Sequence, residues 1–218
     1  MPGRRVVVVE DQRMFAEFIA LHCRELRLEV AAICATGAEG LAAVRQFAPN
    51  LLLLDFSLPD ADGLELARGL RAEFPRMKIL GISSHRDPYT MMQVQRFGLH
   101  GFLDKQDQRP DGLTEAIRAV MNGQIYFSPV VVEASESLRA DPGSFVRVLS
   151  EYEIRILSLI GETKTDDEIA MAFNISAATA QSRRRDIMRK LDVHSTGKLI
   201  HFAITNGLTR PEQLDSRS

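Results

Sequence analysis

The chain has 218 residues, of which 45% are hydrophobic and 26% are charged, a mix that excludes a disordered chain. Its formal net charge of −2 indicates no general attraction to nucleic acid. No apolar run approaches the roughly 20 residues that span a bilayer, and the valines at 6–9 are too few for a signal peptide, so we expect a cytoplasmic protein without a membrane partner. Cys23 and Cys34 fit neither a metal site nor a disulfide framework, and we expect buried thiols.

The first 125 or so residues alternate short apolar runs with amphipathic segments, which predicts repeated β-α units. The apolar runs are continuous rather than alternating, as in a parallel sheet that is covered on both faces. The pattern therefore predicts an α/β fold with a five-stranded, doubly wound parallel sheet. Its candidate strands are Val6–Val9, Val30–Cys34, Leu51–Leu54, Lys78–Ile82 and Gly101–Leu103.

Helical periodicity fills the segments between these runs. Met14, Phe18 and Leu21 recur at steps of four and three, with Phe15, Ile19 and His22 beside them, and this period predicts the first helix. Asp87 followed by Pro88 is typical of a helix start, and Gly98 of a helix end.

The chain changes character after about residue 125. Residues 126–148 are interpreted as a linker because small polar residues, proline and glycine accumulate there. Residues 149–210 contain no strand-like run and predict a small domain of four helices, followed by a tail at 211–218. Ser150 and Thr165 each begin a capping box, Ser176 caps the third helix, and Ser195 or Thr196 caps the fourth.

Polar side chains follow four of the predicted strands, at the edge of the sheet where α/β proteins bind ligands. Three of them are the acids Glu10, Asp11 and Asp55, which would repel one another without a cation, and their oxygen atoms suit Mg²⁺. A hydroxyl group, from Ser83 or alternatively Ser84, and the ammonium group of Lys105 suit a phosphoryl group. The residues therefore predict a magnesium-dependent phosphoryl site with Asp55 as the nucleophile.

Residues 4 to about 125 resemble a response-regulator receiver domain with a flavodoxin-like fold. The motifs that match are Glu10-Asp11, the segment from Asp55 to Gly63, Ser83 and Gly101-Phe-Leu-Asp-Lys105. The resemblance implies that Asp55 accepts a phosphoryl group from a sensor histidine kinase and that Lys105 pairs with the phosphate. It also implies that Glu10, Asp11, Asp55 and the backbone carbonyl of Ser57 bind Mg²⁺. Ser83 and Phe102 would form the conformational switch, with a plain core position as the alternative for Phe102.

Residues 181–201 carry six basic and two acidic side chains, which is the electrostatic footprint of a nucleic-acid contact. On a helical wheel, Ala180, Ile187 and Leu191 face the core, with Arg184 close to that side. The exposed side predicts base contacts from Gln181, Ser182 and Arg185, and phosphate contacts from Arg183, Arg189 and Lys190.

Residues 149 to about 208 resemble the LuxR-type helix-turn-helix of NarL/FixJ-class regulators, through Leu149–Leu157, Glu168–Ala170, Ile175–Thr179 and Ile187–Val193. The resemblance implies that Leu199, Phe202 and Ala203 on the last helix pair two subunits. The family usually has valine, lysine and histidine in place of Ala180, Gln181 and Arg183, so an unusual operator is expected. The family's glycine-bearing turn is replaced here by 162–164.

The leading hypothesis is a transcription regulator that phosphorylation of Asp55 switches into a homodimer on a duplex operator with two half-sites. A second hypothesis keeps DNA binding but replaces phosphorylation with control by protein contacts. A third, an enzyme that transfers or removes phosphate on external substrates, lacks a nucleotide-binding loop of the Gly-x-x-x-x-Gly-Lys type in the sequence.

Overall fold

The computed structural model describes residues 4–84, 87–106, 109, 111–141 and 144–209, and the predicted tail at 211–218 lies outside them. The chain divides into two compact units, Met1–Arg86 with Gln93–Val132 and Asp87–Met92 with Glu133–Ser218. Within the described ranges, no helix is both long enough and apolar enough to cross a membrane.

The first unit is built on a parallel sheet whose strands run in the order β2-β1-β3-β4-β5-β6. The predicted α/β fold is confirmed, but the strand number of five is wrong. The sixth strand has only two residues, which pair with Gly101 and Phe102, and so short a strand leaves no apolar run in the sequence. The strands are β1 (Arg5–Val9), β2 (Glu29–Cys34), β3 (Leu51–Asp55), β4 (Lys78–Ser83), β5 (Gly101–Asp104) and β6 (Tyr126–Phe127).

Helices cover both faces of this sheet. Strand residues that point to opposite faces, such as Leu52 and Leu53, are equally buried, which explains the continuous apolar runs. On one face, Ile19 from α1 and Ile117 from α5 join Leu53 in a single core. The helices of the first unit are α1 (Arg13–Glu25), α2 (Gly37–Phe47), α3 (Gly63–Glu73) and α5 (Gly112–Met121), while α4 (Pro88–Arg96) contributes residues to both units.

Helix α1 buries only part of the apolar set that the sequence predicts. Its buried residues are Ala16, Ile19, Ala20 and Cys23. Other residues of this set lie on the outside, where Met14 is 85% exposed and Phe18 is 44% exposed. The predicted helix is therefore confirmed, and of the residues in its predicted period Ile19 enters the core whereas Met14 and Phe18 do not.

The segment interpreted as a linker is mostly helical. Besides β6 it contains α6 (Pro129–Ala140) and α7 (Phe145–Val148). Helix α6 begins at a proline, which suits a first helical position, and Val131 is fully buried. The small polar residues of this segment therefore do not form an extended linker.

Among its described residues, the second unit contains four further helices, as predicted: α8 (Glu151–Gly161), α9 (Asp166–Phe173), α10 (Ala177–Lys190) and α11 (Thr196–Thr205). Ser150 and Thr165 both form complete capping boxes, and Ser176 caps α10. The alternative at α11 is resolved in favour of Ser195, whose hydroxyl accepts a hydrogen bond from the Lys198 N–H. Leu157, Ile169, Ile187 and Leu199 are fully buried in the core that these helices share.

Candidate phosphoryl site and nucleic-acid interface

Three carboxylates converge at the carboxyl ends of β1 and β3. These strands are neighbours in the sheet, with Val9 opposite Leu54, so Glu10 and Asp55 emerge side by side. Oxygen atoms of Glu10, Asp11 and Asp55 lie within 4.8 Å of one another. Glu10 and Asp55 are buried, whereas Asp11 is exposed. Burial raises the pKa of the Glu10 carboxyl above its ordinary value, the charge of Asp55 adds to this effect, and the hydrogen bond from Lys105 opposes it.

Lys105 lies at the end of β5 and bridges two of these acids. Its Nζ donates to Glu10 Oε1 at 2.8 Å and to Asp55 Oδ2 at 2.9 Å. Burial alone would lower the pKa of Lys105, but the two hydrogen bonds and the two negative charges raise it above its ordinary value. The ammonium group is therefore held in its charged form beside Asp55.

The residues of this site fit a divalent cation. Three carboxylates face a single ammonium group, which leaves two negative charges to be balanced. Glu10 Oε2 is buried and has no hydrogen-bond partner within the described part of the chain. A cation bound there by oxygen atoms would satisfy this buried atom, and carboxylate ligands with room for water suit Mg²⁺.

The remaining residues predicted for this site lie around it. The N–H of Ser57 donates to Asp55 Oδ1 at 2.9 Å, which fixes the loop that follows β3. Ser83 ends β4 and is fully buried, and its carbonyl accepts from the N–H of Lys105 at 2.9 Å. Ser84, the alternative hydroxyl, is exposed. Phe102 is fully buried, with its ring centroid 5.5 Å from that of Phe56.

The sequence interpretation missed Asp60, which anchors the loop after β3. Its carboxylate accepts from the N–H of Gly37 at 2.7 Å and from the N–H of Ala38 at 3.0 Å, at the start of α2. Both bonds lower the pKa of Asp60 below its ordinary value, and the bond from Gly37 has the larger effect. The contact joins positions more than 20 residues apart, so no local pattern could reveal it.

The predicted base-contacting residues Gln181, Ser182 and Arg185 are exposed along one side of α10. Ala180 and Ile187 are fully buried on the other side, as the helical wheel predicts. A surface of polar side chains on a helix of 14 residues therefore faces outward from the second unit. Such a helix is long enough to lie in a major groove.

The basic side chains of α10 differ in their partners. Arg184, only 13% exposed, donates through Nε to Asp166 Oδ1 at 2.9 Å, in keeping with its predicted place near the core. Arg189 pairs with Asp186 at 2.8 Å at the surface. Arg183 instead lies over an aromatic ring, with its guanidinium carbon 5.7 Å from the ring centroid of Tyr152.

Lys190 has a structural partner. Its Nζ donates to both carboxylate oxygens of Glu153 at 2.8 Å. Burial would raise the pKa of Glu153, but the bonds from Lys190 and Ser150 lower it overall. The predicted phosphate contact of Lys190 would thus compete with an ion pair that joins α10 to α8.

Two of the three residues predicted to pair subunits lie in the core of the second unit. Leu199 and Ala203 are fully buried there, and Phe202 is half-buried with its ring 6.0 Å from that of Phe145. Side chains enclosed by their own subunit cannot form an interface, so the prediction is wrong for Leu199 and Ala203, whereas for Phe202 it stays a prediction. The exposed residues of α11 are Thr196, Gly197, Lys198, His201 and Thr205.

Two family models match the chain. One, described as response regulator receiver domain, matches residues 6–118. The other, described as bacterial regulatory proteins, luxR family, matches residues 147–203.

Relatives align along nearly the whole chain. The transcriptional regulatory protein MctR of Rhizobium johnstonii is 30% identical over 208 residues, which cover 95% of this chain and 96% of the relative. The response regulator UvrY of Escherichia coli is 27% identical, with 97% and 99% covered. A solved structure of RcsB from Salmonella enterica serovar Typhimurium, bound to the promoter P1flhDC in the presence of phosphomimetic BeF3-, aligns with a TM-score of 0.66 and 22% identity over 94% of this chain and 99% of that one. This likeness supports the fold alone.

Proposed function

The chain belongs to the response regulators of the NarL/FixJ class, which are transcription regulators rather than metabolic enzymes, and we propose that phosphorylation of Asp55 controls its binding to DNA. The observation that carries this proposal is the convergence of Glu10, Asp11 and Lys105 on Asp55. Each of these groups has a use in phosphoryl transfer to a carboxylate. Control by protein contacts alone, the second hypothesis, would leave this arrangement without a use.

The proposed reaction transfers a phosphoryl group from the phosphohistidine of a sensor histidine kinase. A carboxylate oxygen of Asp55 forms a bond to phosphorus while the bond from phosphorus to the imidazole nitrogen breaks, and the released imidazole takes up a proton. Lys105 is placed to pair with an oxygen of the transferred group, because it already donates to Asp55 Oδ2. The product is an acyl phosphate on Asp55.

Glu10, Asp11 and Asp55 would hold the Mg²⁺ ion, with the carbonyl of Ser57 as a further proposed ligand. When bound, the ion supplies positive charge to the oxygens of the phosphoryl group. The unpartnered Oε2 of Glu10 supports this assignment. Glu10, one residue beyond β1, is proposed to act through a bound water.

Ser83 and Phe102 are proposed to connect phosphorylation with the rest of the receiver. The hydroxyl of Ser83 would move to bond a phosphoryl oxygen, and the ring of Phe102 would occupy its inward position in that state. The burial of both side chains supports this, as does the register of β4 and β5, which sets Ser83 opposite Asp104 next to Lys105. Because Ser84 is exposed, Ser83 is the better candidate for the switch hydroxyl.

Helix α10 is proposed to read duplex DNA in the major groove. Gln181, Ser182 and Arg185 would contact bases, and Arg183 and Arg189 would contact phosphates. Since bacterial DNA lies in the cytoplasm, the protein would act there. A homodimer on two half-sites is proposed from the family, with the exposed side of α11 as the surface available for pairing.

Phosphorylation can be tested with the full chain and acetyl phosphate, a small phosphodonor. We expect an intact-mass increase of one phosphoryl group that requires Mg²⁺ and is lost in Asp55→Asn. The matched control Asp111→Asn, at an exposed aspartate, should be labelled as wild type is. Labelling of Asp55→Asn at the wild-type rate would contradict the assignment of the phosphoacceptor.

DNA binding can be tested by selecting bound duplexes from a random pool, with and without acetyl phosphate. We expect enrichment of a sequence with two half-sites roughly one helical turn apart, and stronger enrichment with the phosphodonor. Equal enrichment under both conditions would favour control by protein contacts.

A further inference from the structure

Two cations of α10 lie on the same flank of the helix but differ in how they are held. At about 100° per residue, Arg183 and Lys190 are roughly 20° apart on the helical wheel, between the buried side and the exposed side. Both meet the first turn of α8, through Tyr152 and Glu153. The carboxylate of Glu153 cancels the charge of Lys190. The ring of Tyr152 leaves the charge of Arg183 in place.

Arg183 differs from most basic residues of this helix, and it shares the lack of a carboxylate partner with Arg185, which has no aromatic ring beneath it among the described contacts. Arg184, Arg189 and Lys190 each have a carboxylate partner. For Arg183, none of the described residues places a carboxylate oxygen within the 4.0 Å of an ion pair. Its positive charge is therefore available to a ligand from outside the chain.

An aromatic ring beneath a guanidinium group orders the side chain without neutralising it. The attraction comes from the electron-rich face of the ring, and the planar guanidinium group can lie over that face. An arginine that is already ordered loses less conformational entropy when it binds a phosphate. The ring of Tyr152 thus favours phosphate binding by Arg183 because it keeps the positive charge and because it orders the side chain.

The ring of Tyr152 is itself held in position. Phe173 from α9 meets it edge-on, with the two centroids 5.0 Å apart. The neighbouring Glu153 is buried and fixed by Lys190 and Ser150. Three helices therefore determine where the guanidinium group of Arg183 lies, which is beside the exposed strip of α10.

We propose that Tyr152 is a positioning residue for DNA binding, whose ring holds Arg183 against a backbone phosphate of duplex DNA. This inference rests on the proposed function of α10. Phosphates border the major groove, so the flank of a helix that lies in the groove is where a phosphate contact belongs. The contact would contribute to affinity without choosing among base sequences.

The test measures the affinity of the full chain for a labelled pool of short random-sequence duplexes, by fluorescence anisotropy over a series of salt concentrations. Losing one phosphate contact lowers the slope of log affinity against log salt by about 0.9. We expect Arg183→Gln to show this change, and Tyr152→Ala to show most of it with a loss of ~3- to 10-fold at low salt. Tyr152→Phe, which keeps the ring, should restore affinity and slope.

A double-mutant cycle separates positioning from a direct contact or general loss of fold. If Tyr152 acts through Arg183, adding Tyr152→Ala to Arg183→Gln should weaken binding no further. Arg68→Ala is the matched control, because Arg68 lies 5.6 Å from the ring centroid of Phe97 in the first unit and should not affect DNA binding.

Wild-type affinity and slope in Tyr152→Ala would overturn the proposal, as would equal losses from Tyr152→Ala in the presence and absence of Arg183. If the wild-type chain itself showed no salt-dependent binding, the proposed function would fail instead.

Discussion

Lys105 donates a hydrogen bond to Asp55 across 50 positions of sequence, with 2.9 Å between Nζ and Oδ2. The same nitrogen donates to Glu10, so one ammonium group compensates two buried carboxylates. Removing one partner from a buried ion pair is costly because the other charge remains buried. Lys105 therefore affects stability as well as phosphoryl transfer, and its variants have to be assessed for both.

Lys105→Met is expected to lower the free energy of unfolding by about 3 kcal/mol in buffer without Mg²⁺. Added Mg²⁺ should stabilise this variant more than wild type, because the ion would then be the main group that offsets the repulsion among the acids. Urea denaturation with and without Mg²⁺ measures both effects. Arg13→Met, which breaks the exposed ion pair with Glu17, should leave stability unchanged. A Lys105→Met variant whose stability does not change with Mg²⁺ would contradict the proposed metal site.

The phosphoryl site could be predicted from the sequence because topology determines where strands end. In a parallel sheet the carboxyl ends of all strands share one edge, so residues after β1, β3 and β5 meet whatever their separation along the chain. The anchor at Asp60 could not be predicted, because it depends on how closely the loop approaches α2.

The buried face of α1 illustrates a limit of periodicity. The spacing of the apolar residues predicts a helix, but two faces of that helix have the same spacing and either could be buried. Larger hydrophobic residues, such as Met14, lie on the exposed stripe. The true core stripe contains Ala16 and Ala20, and small side chains of this kind allow a helix to lie close to a sheet.

Pairings between helices were likewise invisible in the sequence. The excess of positive charge in α10 is a local property and could be counted. Which cations remain free depends on partners far away in sequence, such as Glu153 for Lys190 and Asp166 for Arg184. The burial of Leu199 and Ala203 has the same origin, since an apolar stripe suits a subunit interface and a core equally well.

Thr163 occupies a left-handed backbone conformation, with φ of 61°, in the turn between α8 and α9. This region is unfavourable for a β-branched residue, which explains why glycine is usual in this turn in the family. We expect Thr163→Gly to raise the free energy of unfolding by about 0.5–1 kcal/mol, because relief of strain exceeds the entropy that glycine adds to the unfolded chain.

Chemical denaturation at one pH measures this change, and Asn174→Gly is the matched control. Asn174 also has a positive φ, of 52°, but asparagine tolerates that region, so a smaller gain is expected there. A Thr163→Gly variant less stable than wild type would contradict the prediction.

His100 links stability to pH through a backbone contact. Its Nδ1 accepts from the N–H of Ile79 at 3.2 Å, which requires a neutral ring. Burial, and then the charges of Arg71 and Lys78, lower the pKa of His100 below its ordinary value of 6.5. The unfolded chain therefore binds the proton more readily, so this contribution to stability is complete above about pH 6.5 and is lost as the pH falls towards the lowered folded-state pKa.

His100→Asn should reduce the fall in the free energy of unfolding between pH 7.5 and pH 5.5, as measured by urea denaturation at each pH. His201→Asn, at an exposed histidine of α11, should keep the wild-type fall. If the free energy of unfolding of His100→Asn fell as much as that of wild type over this pH range, a group other than His100 would cause the pH dependence.

Lys190 and Arg185 should differ in what their loss changes, although both are basic residues of α10. Lys190→Met leaves the buried carboxylate of Glu153 without its cation, so the free energy of unfolding should fall by about 2 kcal/mol. Arg185 is exposed, and Arg185→Met should keep stability within about 0.5 kcal/mol of wild type while weakening the binding of duplex DNA. Urea denaturation measures the free energy of unfolding, and fluorescence anisotropy on the same preparations measures the affinity for duplex DNA.

Equal stability losses in both variants would show that the ion pair of Lys190 with Glu153 does not join α10 to α8 in solution. Lys190 would then be counted again among the predicted phosphate contacts.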